Sequence, residues 1–557
     1  MNVGRHVLGH APLAMGVAAM LVTVAAVEAA APRPHVWQRW EHTLTSDREH
    51  DRFDPEWTLR VRYSGPGGRR LDGFGYWDGG HVFRMRCAFP AAGLWHWETE
   101  CSDTGDAGLH GQRGTVEVVS YRGENWLYQH GFLKISADRR YLVGADGTPF
   151  LWTGDTAWAA PMRSNDEEWD RYLADRRAKH FTLIQIAPAP RWAGETDRQG
   201  EPPFFDQACQ KLNPVFWQAF ERKVQRANDA GFVVLLVGLM EPAHRYPDSE
   251  AACQFARHLV ARLWGNSVIF SPSFDSPFMP LADEVGRAVR DATAVHLITQ
   301  HPGTPSKEPI PIWTMQYYDR PYLDIAGVQS GHNGGNRQRC AHHAIEWILH
   351  AYRHEPHKPV INLEAMYDGQ GEKGWQAVDA RSLAWRSWLS GAKGYTYGAG
   401  DVPPKCPQGS GGVWKWDWDR NKPDYWEKAV AWESSVQMQH LHDFLAAIEW
   451  WKLEPAHELI RHQPDDVTRH MVLAKIADRD FAAAYLPDND AIVVDLSAFS
   501  SPVAARWFDP VRGRSSPVDG RLPNHGEHRL APPAKGDWVL VIEPAAANQA
   551  PSDNPPD

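Results

Sequence analysis

The pattern of apolar and polar positions changes twice along this chain. Residues 35–121 carry short alternating runs, such as Trp57-Thr58-Leu59-Arg60-Val61-Arg62-Tyr63, Val82-Phe83-Arg84-Met85-Arg86 and Gly93-Leu94-Trp95-His96-Trp97. Turns rich in Gly and Pro separate them, for example Ser64-Gly65-Pro66-Gly67-Gly68. Period-two alternation at this spacing predicts a small Ig-like β-sandwich. Between 130 and 452 short apolar runs alternate with helical periodicity. The predicted strands are 149–154, 181–187, 232–239, 267–273, 295–300, irregular pieces near 312 and 325, 359–364 and 394–397. Predicted helices begin at a capping signal, Ser164 with Glu167 three residues on, and near Asn213-Pro214, then cover 249–264, 281–292, 340–353 and 378–390. With the two irregular pieces near 312 and 325 counted as one strand, eight strands alternating with helices predict a (β/α)8 TIM barrel. From 455 to 545 the pattern is β again, predicting a C-terminal β-sandwich, and the Pro-, Ala- and Asp-rich residues 546–557 read as a disordered tail.

Two of the barrel strands end on a carboxylate. Pro359-Val360-Ile361-Asn362-Leu363-Glu364 is apolar and β-branched until its last residue, and Ser267-Val268-Ile269-Phe270-Ser271-Pro272-Ser273-Phe274-Asp275 ends likewise. Buried parallel strands read as continuous apolar runs, and their C-terminal ends form the active-site face of such a barrel. Two carboxylates on that face are the equipment for hydrolysing a glycosidic bond, one as acid and one as nucleophile or base. Asp275 and Glu364 are the expected catalytic pair, with Asp275 as general acid/base and Glu364 as nucleophile. Glu241, ending the third strand, competes with Asp275 for the acid role and is otherwise a substrate or scaffold hydrogen-bonder. Asp155 and Trp158 follow the first strand, where an acid can bind sugar hydroxyls and an indole can floor a subsite; helix capping is the alternative for Asp155. Gln185, His301, Gln329, His332, Tyr367 and Tyr397 also sit at predicted strand ends and form a candidate substrate-binding group.

Composition narrows the reading. A net charge of −11 with no basic cluster argues against nucleic acid as a partner. The 27 Trp suit stacking on sugar rings, although large cores also use them. Arg5, an apolar stretch from Ala11 to Val27 and Glu28-Ala29-Ala30-Ala31 read as a secretory signal peptide over 1–31, against an uncleaved anchor helix. Export permits disulfides; Cys87 and Cys101 are expected to pair, while Cys209, Cys253, Cys340 and Cys406 form two more bridges or stay thiols. No G-x-S-x-G, H-E-x-x-H or Walker loop occurs, and the His residues lack metal-ligand spacing; no cofactor or metal is expected.

Several strings are similar to motifs of the apiosidase-like glycoside hydrolases. They are Gly147-Thr148-Pro149-Phe150-Leu151-Trp152-Thr153-Gly154-Asp155-Thr156-Ala157-Trp158, Trp264-Gly265-Asn266-Ser267-Val268-Ile269, Gln329-Ser330-Gly331-His332, Lys358-Pro359-Val360-Ile361-Asn362-Leu363-Glu364 and Gly391-Ala392-Lys393-Gly394-Tyr395-Thr396-Tyr397-Gly398. Arg506-Trp507-Phe508-Asp509-Pro510 and Gly536-Asp537-Trp538-Val539-Leu540 resemble a bacterial module named for collagen binding. The resemblance implies an exported hydrolase that removes a terminal sugar, such as the furanose apiose, from a polysaccharide side chain, with the acid/base and nucleophile roles given above. One departure stands out: family members usually carry a Gly-Gly-Asp-Arg-like sequence where this chain has Ser273-Phe274-Asp275-Ser276. The competing reading is a non-catalytic carbohydrate- or matrix-binding protein with a degenerate barrel.

Overall fold

The computed structural model describes residues 1, 33–50, 57–188, 196–206, 208–239, 248–303, 313–331, 336–369, 375–400, 413 and 425–545. The predicted signal peptide, the C-terminal tail, Glu241, His332 and Cys406 lie outside these residues.

Six strands build the N-terminal module: β1 (Arg39–His50), β2 (Leu59–Ser64), β3 (Arg70–Trp77), β4 (Gly80–Ala88), β5 (Gly93–Cys101) and β6 (Arg113–Val118). They form one antiparallel sheet in the order β1-β4-β3-β2-β5-β6. The sheet rolls over its own core, because Trp40 on β1 meets Trp97, four places away on β5, at 6.5 Å between ring centroids. The expected Cys87–Cys101 bridge does not form. Both are buried free thiols, on strands β4 and β5 that β3 and β2 separate. Nearness in sequence misled the expectation, since the sheet order does not follow the chain order. Burial pushes both thiols up, Cys101 to about 11.

The central domain holds seven parallel strands: β7 (Trp152–Thr156), β8 (Leu183–Ile186), β9 (Val233–Val237), β10 (Val268–Ser271), then, after a short parallel pair β11 (Phe274–Ser276) and β12 (His301–Pro302), β13 (Ala326–Gln329), β14 (Val360–Glu364) and β15 (Gly394–Tyr397). Their order is β10-β9-β8-β7-β15-β14-β13. Residues 297–299 lie between the two edges: Phe270 N donates to Leu297 O (3.0 Å), and Asp324 N to Ile298 O (2.9 Å). With Thr299 N to Phe270 O (2.9 Å) and Ile325 N to Ile298 O (3.2 Å), each edge makes two such bonds, where a fifth strand over 295–300 was expected. The piece expected near 312 lies outside the described residues, which resume with a helix, Trp313–Tyr318.

Alternation explains the two cores. Trp152, Leu183, Val233, Leu235, Ile269, Ile361 and Leu363 fill the concave interior. Ile184, Ile186, Val234, Leu236 and Phe270 face outward onto helices. Those helices include α1 (Asp166–Ala178), α2 (Pro214–Asp229), α3 (Ser249–Arg262), α4 (Pro280–Ala292), α5 (Ala377–Leu389) and α6 (Glu433–Ala446). The capping box of α1 is one residue later than predicted: Asn165 and Glu168 exchange the two bonds, while Ser164 Oγ bonds Ala160 O within the preceding turn. Such side-chain back-bonding competes with capping.

Ion pairs lock the modules together. Glu221 on α2 bridges Arg86 of β4 (2.5 Å) and Arg262 of α3 (2.7 Å), and Arg262 reaches Asp78 (2.8 Å). The C-terminal module combines a six-stranded and a two-stranded antiparallel sheet. Its Asp537 pairs with Arg381 of α5 at 2.6 Å. No helix among the described residues is long and apolar enough to cross a membrane.

Candidate active site

Strict alternation along β14 would turn Glu364 outward, since Ile361 and Leu363 face the interior. The register prevents this. Val328 pairs with Asn362 but Gln329 pairs with Glu364, so Leu363 is an extra residue on β14. A bulge of this kind re-aims the side chain that follows it. Gln185, inward on β8, donates to the Leu363 carbonyl at 3.2 Å and so supports the bulge. Outside it, the Asn362 amide bonds the Ser330 and Ser387 hydroxyls.

Asp275 is aimed by a second irregularity. The strand predicted to run unbroken to Asp275 stops at Ser271, and β11 re-forms beside β12 with Phe274 opposite His301 and Ser276 opposite Pro302. Asp275 lies in the register shift between them, at φ +48°. That left-handed conformation is uncommon outside glycine but tolerated by Asp. The turn before it is fixed from both sides: Ser271 Oγ donates to Ser273 O (2.8 Å), and Ser273 N to Gln300 Oε1 (3.0 Å), whose amide nitrogen bonds Tyr322 (3.0 Å). Gly303 must be glycine here, because a Cβ would lie 2.7 Å from the Asp275 carbonyl carbon.

The two devices bring the carboxylates together. The Gln329 amide nitrogen donates to Asp275 Oδ1 at 3.0 Å and also to Glu364 Oε2. His301 lies 3.6 Å from Asp275 Oδ1 through Nδ1 and 3.5 Å from Glu364 Oε2 through Nε2. One donor atom from each of Asp275, His301 and Glu364 falls within 4.8 Å of the others. Tyr367 donates its hydroxyl to Glu364 Oε1, and Trp158 Nε1 donates to Tyr367 Oη at 3.2 Å. A Cβ on Gly398 would sit 2.2 Å from the Tyr367 ring, so this approach also demands glycine. Trp158 stacks obliquely on Phe274 at 4.5 Å and meets His301 edge-on. The Glu364 side chain is 3% exposed and that of Asp275 32%: one carboxylate is sequestered and the other reachable from solvent.

Six expected residues therefore converge: Asp275, Glu364, His301, Gln329, Tyr367 and Trp158. Gln185 stands beneath them. Asp155 and Tyr397 do not join, which corrects the sequence expectation. Strand parity turns both outward, since Trp152 and Gly394 take the inward positions three residues before them. Asp155 is buried against α1, where its Oδ2 accepts from Arg176 Nε (2.5 Å) and from Tyr172 (2.7 Å). Burial pushes its carboxyl up while Arg176 opposes the rise. Tyr397 bonds Ser434 on α6 at 2.6 Å, and Ser434 bonds Asp368. Phe274, which contacts both Trp158 and His301, and Gln300 were missed; their one sequence signal is adjacency to Asp275 and His301. By donor spacing alone, Asp275-His301-Glu364 and a second trio, His180-His442-Asp443, could each hold a metal ion.

A parallel sheet curled around an apolar core, with two carboxylates bridged by an amide at its C-terminal end, defines a glycosidase. The model of the "Apiosidase-like, catalytic domain" matches residues 136–452, and the chain belongs to that family. Residues 455–543 match the "Putative collagen-binding domain of a collagenase" and residues 33–102 a domain of unknown function, DUF5060. Among solved structures, the fold is similar to a family 5 glycoside hydrolase from Bacteroides vulgatus (20% identity, TM-score 0.65), over 76% of this chain and 95% of that one. It is also similar to a "putative glycoside hydrolase" of the same organism (16% identity, TM-score 0.66), over 92% and 100%. No curated protein sequence matches.

Proposed function

We propose that this glycosidase is exported and removes a terminal sugar, a furanose such as apiose, from a polysaccharide or glycan side chain with retention of anomeric configuration. The reading includes a closed (β/α)8 barrel, with residues 297–299 as its fifth stave, and a division into modules 35–121, 130–452 and 455–545. The observation that carries the mechanism is the approach of an Asp275 oxygen to a Glu364 oxygen within 4.8 Å. Retaining enzymes hold their carboxyl groups about 5–5.5 Å apart, whereas inverting ones need about 6.5–9.5 Å to seat a water.

In the first step Glu364 attacks the anomeric carbon, the glycosidic C–O bond breaks, and Asp275 delivers its proton to the leaving oxygen. In the second, Asp275 takes a proton from water, whose oxygen displaces Glu364 and releases the sugar. Gln329 spans both carboxylates, so its amide restrains their spacing through both steps. Tyr367 fixes the rotamer of Glu364 and is itself held by Trp158. The 32% exposure of the Asp275 side chain suits a group that must meet both leaving group and water. Glu241 and His332 are assigned to substrate hydrogen bonding.

Following the anomeric proton of the first-formed product by NMR tests the assignment. A product of retained configuration is expected. An initially inverted product removes Glu364 as nucleophile and makes it a general base.

A further inference from the structure

On the face of the central sheet opposite the carboxylate pair, one donor atom each from His180, His442 and Asp443 lies within 4.8 Å of the others. His180 follows α1 and stands three residues before β8, while His442 and Asp443 are neighbours on α6. His180 Nδ1 is 2.5 Å from Asp443 Oδ1, 263 residues away in sequence, and the His180 and His442 rings are 5.5 Å apart. Ligands divided between two such distant segments leave no motif spacing to read.

Two features single out these imidazoles. The first is the backbone at His180, which has φ +60°. His180 N donates to Arg177 O and Phe181 N to Arg176 O, each at 3.0 Å, the pattern that closes a helix through a left-handed residue, usually glycine. A histidine there is disfavoured by its Cβ, so the position carries an imidazole against local preference, and such outliers point to a role for the side chain. The second is the anchoring of His442. Its Nδ1 lies 2.9 Å from Thr153 Oγ1, on β7. When Nδ1 carries the proton and donates it to that hydroxyl, Nε2 keeps its lone pair, which is how an outer partner prepares a histidine to bind a metal.

We propose that His180, His442 and Asp443 form a zinc-binding site that fastens α6 to the sheet. Two imidazoles and a carboxylate are donors that suit zinc, with water as the fourth ligand. Tetrahedral ligands at about 2.1 Å from zinc stand roughly 3.4 Å from one another. The His180 and Asp443 side chains, 46% and 48% exposed, can part by that much as the ion replaces the proton between them, while Thr153 keeps His442 in place. Three protein ligands leave the last position to solvent, so the ion is a reversible staple and not a closed four-ligand centre. Its place at the N-terminal ends of β7 and β8 bears on stability, since the chemistry of such a sheet lies at the other end.

Titrating chelator-treated full-length protein with zinc chloride, with bound zinc counted by mass spectrometry and melting followed by tryptophan fluorescence, tests the site. Wild type should bind one zinc ion that His180→Gly and Asp443→Asn bind at least roughly 10–100-fold more weakly, the loss that even an outer partner's removal causes. Zinc should raise the melting midpoint of wild type by a few degrees and that of neither variant. Both variants alter surface side chains, and His180→Gly supplies the residue that its backbone favours, so both should fold. Magnesium chloride should give no shift, because that ion prefers an all-oxygen shell. Saturation with zinc should leave kcat/KM on an aryl glycoside unchanged. Zinc binding by either variant as tight as by wild type overturns the proposal, as does an equal shift with magnesium. Inhibition in step with zinc uptake also overturns it and moves the ion to Asp275, His301 and Glu364.

Discussion

Replacing Glu221 by Gln should cost about 3 kcal/mol of stability while leaving the chemistry at Glu364 intact. Glu221 is nearly fully buried, with one oxygen 2.5 Å from Arg86 and the other 2.7 Å from Arg262. Burial alone would raise its carboxyl; the two guanidinium groups outweigh that and hold it down at about 2, against an ordinary 4.5. A gap of that size is worth about 3 kcal/mol at neutral pH. A second route agrees: breaking a buried ion pair by removing one partner costs about 3–5 kcal/mol. The lower end applies, because Arg86 keeps Glu41 (2.6 Å) and Arg262 keeps Asp78 (2.8 Å). Since a depressed carboxylate stabilises only while ionised, the contribution is complete above pH 4.5 and is lost as pH falls toward 2. Urea titrations followed by tryptophan fluorescence, repeated from pH 7 down to 3, measure this for wild type and Glu221→Gln. The first unfolding transition should separate the two at pH 7 and the gap should narrow below pH 4.5. A difference under about 1 kcal/mol at pH 7, or one that stays constant on acidification, refutes the reasoning.

Glu364→Gln should abolish turnover yet leave sugar binding measurable by calorimetry, because the amide keeps shape and hydrogen bonding but cannot act as a nucleophile. Asp275→Asn should lower kcat roughly 10²–10⁴-fold on substrates with poor leaving groups and much less on activated aryl glycosides; equal losses on both would make Asp275 a binding residue. Gln329→Met removes a donor to both carboxylates, so both limbs of the pH profile of kcat/KM should move to higher pH, since hydrogen bonds to the charged form favour it. Asp155→Asn should destabilise by about 1–3 kcal/mol, since the buried Arg176 loses one carboxylate partner but keeps Asp175 at 2.7 Å, while the remaining folded enzyme keeps wild-type KM; a raised KM would return Asp155 to the substrate site.

Much of this architecture was legible because it follows from period and composition. The apolar runs at 233–237 and 360–363 are buried on both faces, and such runs read directly as parallel strands. Gln329 and His301 were found as polar residues at strand ends. Parity was the neglected signal: counting inward from Trp152 along β7 places Asp155 outside, and counting from Gly394 does the same for Tyr397. Cys87 and Cys101 failed for a different reason. Pairing them required knowing that β3 and β2 separate their strands, and strand order in an antiparallel sheet is a long-range property that no local pattern carries. Nor does any local pattern announce a bulge. The role proposed for Glu364 calls for an inward carboxylate, whereas the alternation of its strand points the other way.

The same dependence on irregular backbone would let an aspartate fill the acid/base role proposed for position 275. Its side chain is one methylene shorter than a glutamate's, so on a regular strand it would hold its carboxyl farther from Glu364 and favour room for a water. Two features of the backbone compensate. The left-handed conformation at φ +48° and the register shift opposite His301 and Pro302 place the residue off the strand line, and the Gln329 amide ties its oxygen to the Glu364 side of the mouth at 3.0 Å. Immediately before the aspartate this chain has Ser273 and Phe274, and neither is idle. The Ser273 backbone N–H is pinned by Gln300, and Phe274 packs between Trp158 and His301. Side-chain contacts thus fix a turn that glycine would leave to backbone freedom. The short carboxylate is held by an over-determined loop, which is how a strained backbone conformation persists.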